Sequence, residues 1–268
     1  MSTCRNHALL LTLAICAARA AWAQSLEDRI ASAASPVSFE FATHGNVCGD
    51  GYGISISDDT TPGWNTRRQR NGTHFRHGRG DDEGPCDIAP ARAVVEHEGK
   101  RVTSIRVSVG GPLRRVDNEL GRVPAQEAAR FLLGVAPRLE GRSADDALTG
   151  AAIADVPLMW PRLLEIARDE NASEASRKSS LFWLSREAAT AAVAGLGRVA
   201  EDDDTATSVR SDALFYLAQR KDGSGIDALI RVVRQSKSAK IRRDALWYLG
   251  QSRDPRALEL FAQLLAGR

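Results

Sequence analysis

The chain has 268 residues, of which 26% are charged and 43% are hydrophobic, and its formal net charge is +2. Residues 1–23 contain Arg5 and Arg19 and no acidic residue, so the rest of the chain carries 34 basic and 34 acidic residues and is formally neutral. This balance removes the main electrostatic support for nucleic-acid binding, and we expect no nucleic-acid partner.

The N-terminus has the pattern of a secretory signal peptide. A basic start precedes a mostly apolar run over 8–18, and Ala21 and Ala23 are small residues at the two positions that a signal peptidase reads. The run is too short for a membrane-spanning helix, so a membrane anchor is less favoured, as is a lipid attached at Cys16. We expect residues 1–23 to be removed and the mature protein, without a membrane span, to be periplasmic or secreted.

Residues 24–116 predict a small β module. Leu26, Ile30 and Ala34 are spaced by four, which indicates a short amphipathic helix over 25–34. Alternating apolar residues then indicate four short strands, at 37–42, 53–57, 93–98 and 101–109. We expect about four antiparallel strands in one sheet that leans on the first helical repeat and does not fold alone.

Two cysteines remain after the signal peptide, Cys48 and Cys86. An even pair in an exported protein most often forms a disulfide. The bond would close a loop of about 39 residues and stabilise the fold by about 4 kcal/mol. A zinc site is the alternative, because His44 lies near Cys48, and His74 and His77 lie near Cys86. The spacing matches no paired zinc motif, and we expect no metal.

The loop 58–87 carries charges of both signs and predicts no regular element. Its arginines are Arg67, Arg68, Arg70, Arg76 and Arg79, and its acidic residues include Asp81, Asp82 and Glu83. A solvated, mobile loop is the favoured interpretation. The alternative is a contact with an anionic ligand, since arginine suits carboxylates and phosphates.

Residues 117–268 repeat with a period near 33, which is typical of a stacked helical solenoid. Leucines recur at this interval, at Leu148, Leu181, Leu214 and Leu246. Residues that suit a helix start recur in phase, at Pro124, Pro157, Thr190, Gly223 and Pro255. They predict helices over 125–136, 157–168, 190–200, 224–234 and 255–266. The intervening helices are predicted over 143–153, 175–186, 207–219 and 239–250.

The repeated segments carry a resemblance to a known family. Val209-Arg210-Ser211-Asp212-Ala213-Leu214 and the matching Ile241-Arg242-Arg243-Asp244-Ala245-Leu246 resemble HEAT repeats, most closely the short form in phycobilisome-lyase-like proteins. The resemblance covers 124–268 and is strongest over 175–268. It implies an α-solenoid of helix pairs, so the chain is expected to be mainly α with a small β module. Such repeats mostly act as protein-binding scaffolds, and a minority serve bilin attachment.

Six of the fifteen aromatic residues occupy just two repeat positions, as the pairs Phe182-Trp183, Phe215-Tyr216 and Trp247-Tyr248. On a helical wheel, the core face of 207–219 leaves Phe215 on the opposite side and Tyr216 on the flank. Trp183, Tyr216 and Tyr248 are therefore expected to pack between repeats. Phe182, Phe215 and Trp247 are expected to form an exposed stripe for a partner, unless N-terminal residues or the long loop cover it. The first repeat has Thr149-Gly150 instead, which predicts a frayed or irregular helix over 143–153.

Polar residues flank the predicted stripe and complete the predicted binding surface, namely Lys178, Ser211, Arg243, Arg186, Gln219 and Gln251. Three arginines also recur in register, Arg177, Arg210 and Arg242, and they are expected to bond carbonyls or acids at turns between repeats.

The sequence contains no catalytic motif such as G-x-S-x-G, H-E-x-x-H or a P-loop, so it predicts no catalytic residue and no cofactor. The favoured function is a scaffold that binds a protein or peptide of the cell envelope on its concave surface. The alternative is a ligand-binding protein or enzyme with a site where the β module meets the first repeat, near Cys48-Gly49-Asp50-Gly51. The sequence does not indicate an oligomeric state.

Overall fold

The computed structural model describes residues 24–56, 87–112, 115–157, 160–186, 190–220 and 222–267. Within these ranges the fold is mainly helical and carries a small β module, which confirms the predicted α+β composition. The predicted signal peptide 1–23 and the predicted loop 58–87, apart from Asp87, lie outside the described residues.

The β module contains one short helix and six strands in the described residues. Helix α1 spans Leu26–Ser32 and begins at Ser25, whose hydroxyl accepts a hydrogen bond from the Asp28 backbone N–H at 3.2 Å. The strands are β1 Val37–Phe41, β2 Val47–Gly49, β3 Ile54–Ile56, β4 Ala91–Glu98, β5 Arg101–Val109 and β6 Asn118–Arg122.

The sheet differs from the expected antiparallel sheet in two ways. Its strand order is β5-β4-β1-β6, with β1 and β6 parallel, so the sheet is mixed. Strand β3 pairs with β2 in a separate two-stranded sheet and does not join the others. The sequence did not reveal β6 because its residues Asn-Glu-Leu-Gly-Arg are mostly polar and lie at an edge, where no alternation of buried and exposed residues is required.

The helical part follows the predicted two-helix period. The helices after the repeated start residues are α2 Ala125–Val135, α4 Trp160–Arg168, α6 Thr190–Glu201, α8 Ile226–Gln235 and α10 Pro255–Leu265. The intervening helices are α3 Gly141–Ile153, α5 Glu174–Arg186, α7 Thr207–Ala218 and α9 Ala239–Ser252. Each predicted helix is present with ends within about three residues of the prediction, as expected for boundaries read from sequence.

These helices stack in two rows. The odd-numbered row comprises α3, α5, α7 and α9, and the even-numbered row comprises α4, α6, α8 and α10; neighbours within each row are in contact. The rows meet most closely in the pairs α4–α5, α6–α7 and α8–α9. Leucines of the repeat lie between the layers, and Leu148, Leu181 and Leu214 are fully buried there. Burial by neighbouring repeats is the main stabilising term of such a stack.

Helix α3 is regular over its whole length, so the expected fraying of 143–153 is wrong. The reason is its environment, because α3 packs against strand β5 as well as against α2 and α5. A Cβ atom at Gly150 would lie 2.9 Å from Leu132 Cδ1 and 3.0 Å from Val107 Cγ2. The first repeat therefore has a glycine where later repeats have a large ring, since here the sheet fills that space.

A buried arginine joins two successive repeats. Arg210 Nε donates to the Ala200 carbonyl at 3.0 Å, and its Nη2 donates to the Ser236 hydroxyl at 2.8 Å. Its Nη1 lies 2.7 Å from the Asp203 carboxylate, which also accepts the Lys237 backbone N–H at 3.1 Å. That backbone hydrogen bond, together with the guanidinium, lowers the pKa of Asp203. The contact links the end of α6 to the turn before α9.

The other two recurring arginines make weaker links. Arg242 Nη1 donates to the Ser236 and Lys237 carbonyls at 2.7 and 3.0 Å, and within the described ranges it forms no ion pair with an acidic residue. Arg177 is half-buried, and its Nε has no partner among the described residues. The expected bonding of carbonyls or acids at the turns is thus seen for Arg210 and Arg242.

We predict that Gly150→Leu destabilises the fold by roughly 2 kcal/mol or more, because the added side chain forces β5 and α3 apart. Gly134→Leu is the matched control, since a Cβ atom at the exposed helical Gly134 meets nothing within 4 Å. That control should be neutral or stabilising by up to about 1 kcal/mol. Urea unfolding measures both, and equal effects would contradict the close approach at Gly150.

We also predict that Arg210→Met lowers the free energy of unfolding by roughly 2–4 kcal/mol, since the change leaves Asp203 and the Ala200 carbonyl without their buried donor. Arg242→Met should cost only about 1 kcal/mol, because that arginine bonds two carbonyls near the surface. The comparison is made by urea unfolding at neutral pH. A loss for Arg242→Met that matches the loss for Arg210→Met would show that the link between repeats is not the stabilising element.

Candidate functional site

The odd-numbered row brings the six repeated aromatic residues into one continuous series. Within each helix the two rings are close, with centroids 5.0 Å apart for Phe182–Trp183, 5.3 Å for Phe215–Tyr216 and 5.0 Å for Trp247–Tyr248. Between helices, Phe182 lies 6.1 Å from Tyr216, and Phe215 lies 6.5 Å from Tyr248. We call these six residues the aromatic ladder. Its rings meet mostly edge to face, the arrangement that aromatic quadrupoles favour.

The ladder becomes more exposed toward its C-terminal end. Trp183 is buried and Phe182 is partly buried against the core, whereas Phe215 is 41% exposed and Trp247 is 60% exposed. The expected stripe of three exposed rings is therefore seen for Phe215 and Trp247, while Phe182 is more enclosed than expected.

The flanking rings have the packing position expected of them. Tyr216 and Tyr248 are half-buried and pack against the core. Burial raises the pKa of both tyrosines, and nearby carboxylates add to the effect: Asp212 and Asp145 for Tyr216, and Asp244 and Asp212 for Tyr248. Both phenols are therefore neutral at physiological pH and can donate a hydrogen bond to a bound group.

Two carboxylates beside the ladder, Asp212 and Asp244, were not singled out from the sequence as part of the binding surface, whereas their neighbour Lys178 was. Lys178 Nζ lies 3.0 Å from the Glu174 carboxylate and 3.7 Å from Asp212 in the next helix. One repeat further on, Lys240 Nζ lies 2.6 Å from Asp244 and donates to the Ser211 hydroxyl at 3.0 Å. In the sequence both aspartates begin a recurring Asp-Ala-Leu triplet, Asp212-Ala213-Leu214 and Asp244-Ala245-Leu246. The triplet indicated the repeat but not a place in the binding surface. The structure gives these carboxylates a position next to Tyr216 and Tyr248.

Two opposing effects act on the pKa of Asp212. Burial raises the pKa of this carboxyl, and the neighbouring Lys178 ammonium opposes the rise. In turn, the hydrogen bond to Glu174 raises the pKa of Lys178. The surface thus holds a partly desolvated carboxyl whose pKa is raised by burial and lowered by one neighbouring lysine.

Most of the other predicted contact residues are open to solvent. Arg243, Gln219 and Gln251 are exposed, and Arg186 is half-buried.

The rival junction near 48–51 is a closely packed turn. Asp50 Oδ1 accepts the backbone N–H groups of Tyr52 and Gly53, at 2.9 and 2.6 Å, and so shapes the loop between β2 and β3. Backbone atoms of Gly110 and Gly111 lie against this turn so closely that a Cβ atom at either glycine would overlap it. This packing leaves no room for a ligand between these two segments of the β module. The alternative site at the junction with the first repeat stays a prediction. Cys86 lies outside the described residues, so its disulfide with Cys48 stays a prediction.

In the part of the chain that the structure describes, no group of three or more histidine, cysteine or acidic residues is arranged to hold a metal ion such as zinc. His44 instead lies 3.5 Å from Asp155. His74, His77 and the loop arginines 67–79 lie outside the described residues.

An open groove of about 850 Å³ lies on the even-numbered row, between α4 and α6. Trp160 and Leu164 form its apolar part, and its rim contains both acidic residues and arginines, including Arg168 and Asp202 at 3.8 Å. The opposite charges of Arg168 and Asp202 partly neutralise one another.

We predict that Lys178→Met raises the pKa of Asp212 further, because burial then acts without the opposing ammonium. A carboxyl whose folded pKa exceeds its unfolded pKa costs stability above the unfolded value, and this cost disappears as pH falls below it. The variant should therefore be less stable than the wild type at neutral pH and approach it under acidic conditions. Carboxyl titration by NMR, with unfolding at several pH values, measures both effects.

Lys240→Met is the control for that prediction, since Lys240 bonds Asp244 and Ser211 rather than Asp212. The titration of Asp212 should stay where it is in this variant. If Lys178→Met left the Asp212 titration unchanged, the electrostatic coupling between α5 and α7 would be refuted.

Among the described residues, no helix has the length and apolar character needed to cross a membrane. Comparison with known protein families gives a match to the family described as HEAT repeats over residues 193–267. Searches of curated proteins and of solved structures returned no match. The C-terminal helices from α6 to α10 are thus similar to HEAT repeats.

Proposed function

We propose that this protein is an exported HEAT-repeat scaffold that binds a protein or peptide partner along the aromatic ladder. The observation that carries the proposal is the exposure of Phe215 and Trp247 on neighbouring helices of one row. HEAT repeats commonly act as protein-interaction scaffolds, and the match over 193–267 includes both residues.

Exposed rings of this size are typical of binding hot spots, because their burial against a partner removes a large apolar area from water. Single exposed apolar residues need no explanation, but here two rings occupy the same position of successive repeats. The regular position favours a partner that extends along the row and meets one ring per repeat.

The rings are held in place before any partner arrives. Phe215 is supported by Tyr216 in its own helix and by Tyr248 in the next, and Trp247 is supported by Tyr248. Preorganised side chains lose little conformational entropy on binding. The neighbouring polar residues Arg243, Gln219 and Gln251 would then bond the partner's backbone or polar groups at the rim.

Three finer features belong to the same proposal. The two rows would curve as a solenoid with the odd-numbered row on the concave side, as stacked helix pairs commonly do. The repeats would be of the short, phycobilisome-lyase-like form. Removal of residues 1–23 would place the protein and its partner in the periplasm or outside the cell, where a Cys48–Cys86 disulfide could form.

We predict that the double change Phe215→Ala and Trp247→Ala abolishes capture of a partner from the native cell envelope. The tagged full chain is the bait, mass spectrometry identifies what is retained, and the purified partner is then titrated directly against both proteins. Because the two rings are exposed, thermal unfolding should change little, with a loss no greater than about 1.5 kcal/mol from the broken ring contacts.

Tyr52→Ala is the matched control, because Tyr52 is an exposed aromatic residue of the β module, far in sequence from the ladder. It should retain the partner at wild-type affinity. If Phe215→Ala and Trp247→Ala unfold the chain, the rings belong to the core. If the folded double variant binds as tightly as the wild type, the partner uses another surface.

A further inference from the structure

The aromatic ladder alternates between outer and inner rings. Tyr248 lies between two exposed rings, with its ring centroid 6.5 Å from that of Phe215 and 5.0 Å from that of Trp247. Tyr216 lies in the same way between Phe182 and Phe215, at 6.1 and 5.3 Å. Both tyrosines are half-buried, whereas Phe215 and Trp247 are exposed. Each tyrosine therefore forms the floor of a slot whose walls are the outer rings of two successive helices.

The two slots are separated by the distance between neighbouring helices of the row. Helices α5, α7 and α9 contact one another in that order, and the axes of packed helices are typically about 8–10 Å apart. The slots repeat at this interval, because their walls and floors come from corresponding positions of each helix. A ligand that fills both slots must therefore present one small apolar group about every 8–10 Å along the row.

Among regular peptide conformations, polyproline II matches this interval. It has three residues per turn and rises about 3.1 Å per residue, so residues i and i+3 lie on one side about 9.3 Å apart. Residues on one face of a β-strand are only about 6.6 Å apart, and a strand needs a sheet edge that a row of helices does not offer. An α-helix is about 10–12 Å wide, which is too wide for a single file of rings beside the Lys178–Asp212 and Lys240–Asp244 pairs.

We propose that the partner of the aromatic ladder is a proline-rich segment in the polyproline II conformation, with prolines three residues apart bound in the two slots. This inference rests on the proposed function and names the class of partner. A proline ring is apolar, small and rigid, so it packs between two aromatic rings at little cost in conformational entropy. The backbone of such a segment has no internal hydrogen bonds, so its carbonyls are free to accept from the phenol O–H groups of Tyr216 and Tyr248.

Fluorescence anisotropy of labelled peptides, titrated with the full chain, tests the proposal. Two peptides of the same composition are made of proline and glutamine, with prolines three residues apart in the first and four residues apart in the second. The first peptide should bind saturably. The second should bind at least about tenfold more weakly, because its prolines fall on different sides of the polyproline II helix and cannot fill both slots.

Three variants locate the bound peptide. Trp247→Ala removes one wall of a slot and should weaken binding of the first peptide at least about tenfold. Tyr248→Phe keeps the ring and removes only the hydroxyl, so a loss of about two- to tenfold is expected. Tyr52→Ala changes an exposed aromatic residue of the β module and should bind as the wild type does. Circular dichroism and thermal unfolding establish that each variant is folded.

Several results would each overturn the proposal: no saturable binding of the first peptide, equal binding of the two peptides, or a folded Trp247→Ala variant that binds as tightly as the wild type. Tighter binding of an amphipathic helical peptide or of a strand-forming peptide would do the same. Failure of the proposed function has a different sign, namely an envelope partner that the Phe215→Ala and Trp247→Ala variant still retains. If that variant loses the partner but the wild type binds no proline peptide, only the class of partner is wrong.

Discussion

The rest of the structure depends on one packing constraint: a single helix pair of this repeat cannot bury its own apolar stripe. Leu214 is fully buried because α7 lies between α5 and α9, and Ile226 is nearly so because α8 has neighbours on both sides. The polar link through Arg210 acts at the same boundary between repeats, where it ties the end of α6 to the turn before α9. Each repeat is therefore stable only as part of the stack.

The same constraint gives the two ends of the stack different properties. At the N-terminal end the β module covers the first repeat, and the core is continuous from the sheet into the helices. The cover is so close that α3 has a glycine where later repeats have a large ring. At the C-terminal end, Leu258 and Leu265 have no such cover among the described residues. The two ends therefore differ in how much apolar surface the described residues leave exposed.

The lateral faces of the stack need no neighbouring repeat to cover them. The candidate binding surface lies on one of these faces, along the odd-numbered row. The aromatic ladder takes its order from the repeat, because each exposed ring leans on a tyrosine that the stack itself holds in place. Lys178 of the previous repeat likewise lowers the pKa of Asp212 against the effect of burial. Both features are contacts between successive repeats, so the shape and charge of this surface depend on how neighbouring helices pack.

The sequence by itself determined the helical period, the start of each helix, and the side of α7 that carries Phe215, because these depend on spacing along one chain. It did not reveal β6, whose polar edge lacks any alternation, or the parallel pairing of β6 with β1. The glycine at position 150 also led to the wrong prediction of a frayed helix. In the structure Val107 and Leu132 fill the space beside Gly150, and the helix is regular. The exposure of Phe182, the environment of Asp212 and the exposed leucines of α10 were decided only by the tertiary structure, because each depends on what a neighbouring repeat places there, and spacing along the chain does not encode that.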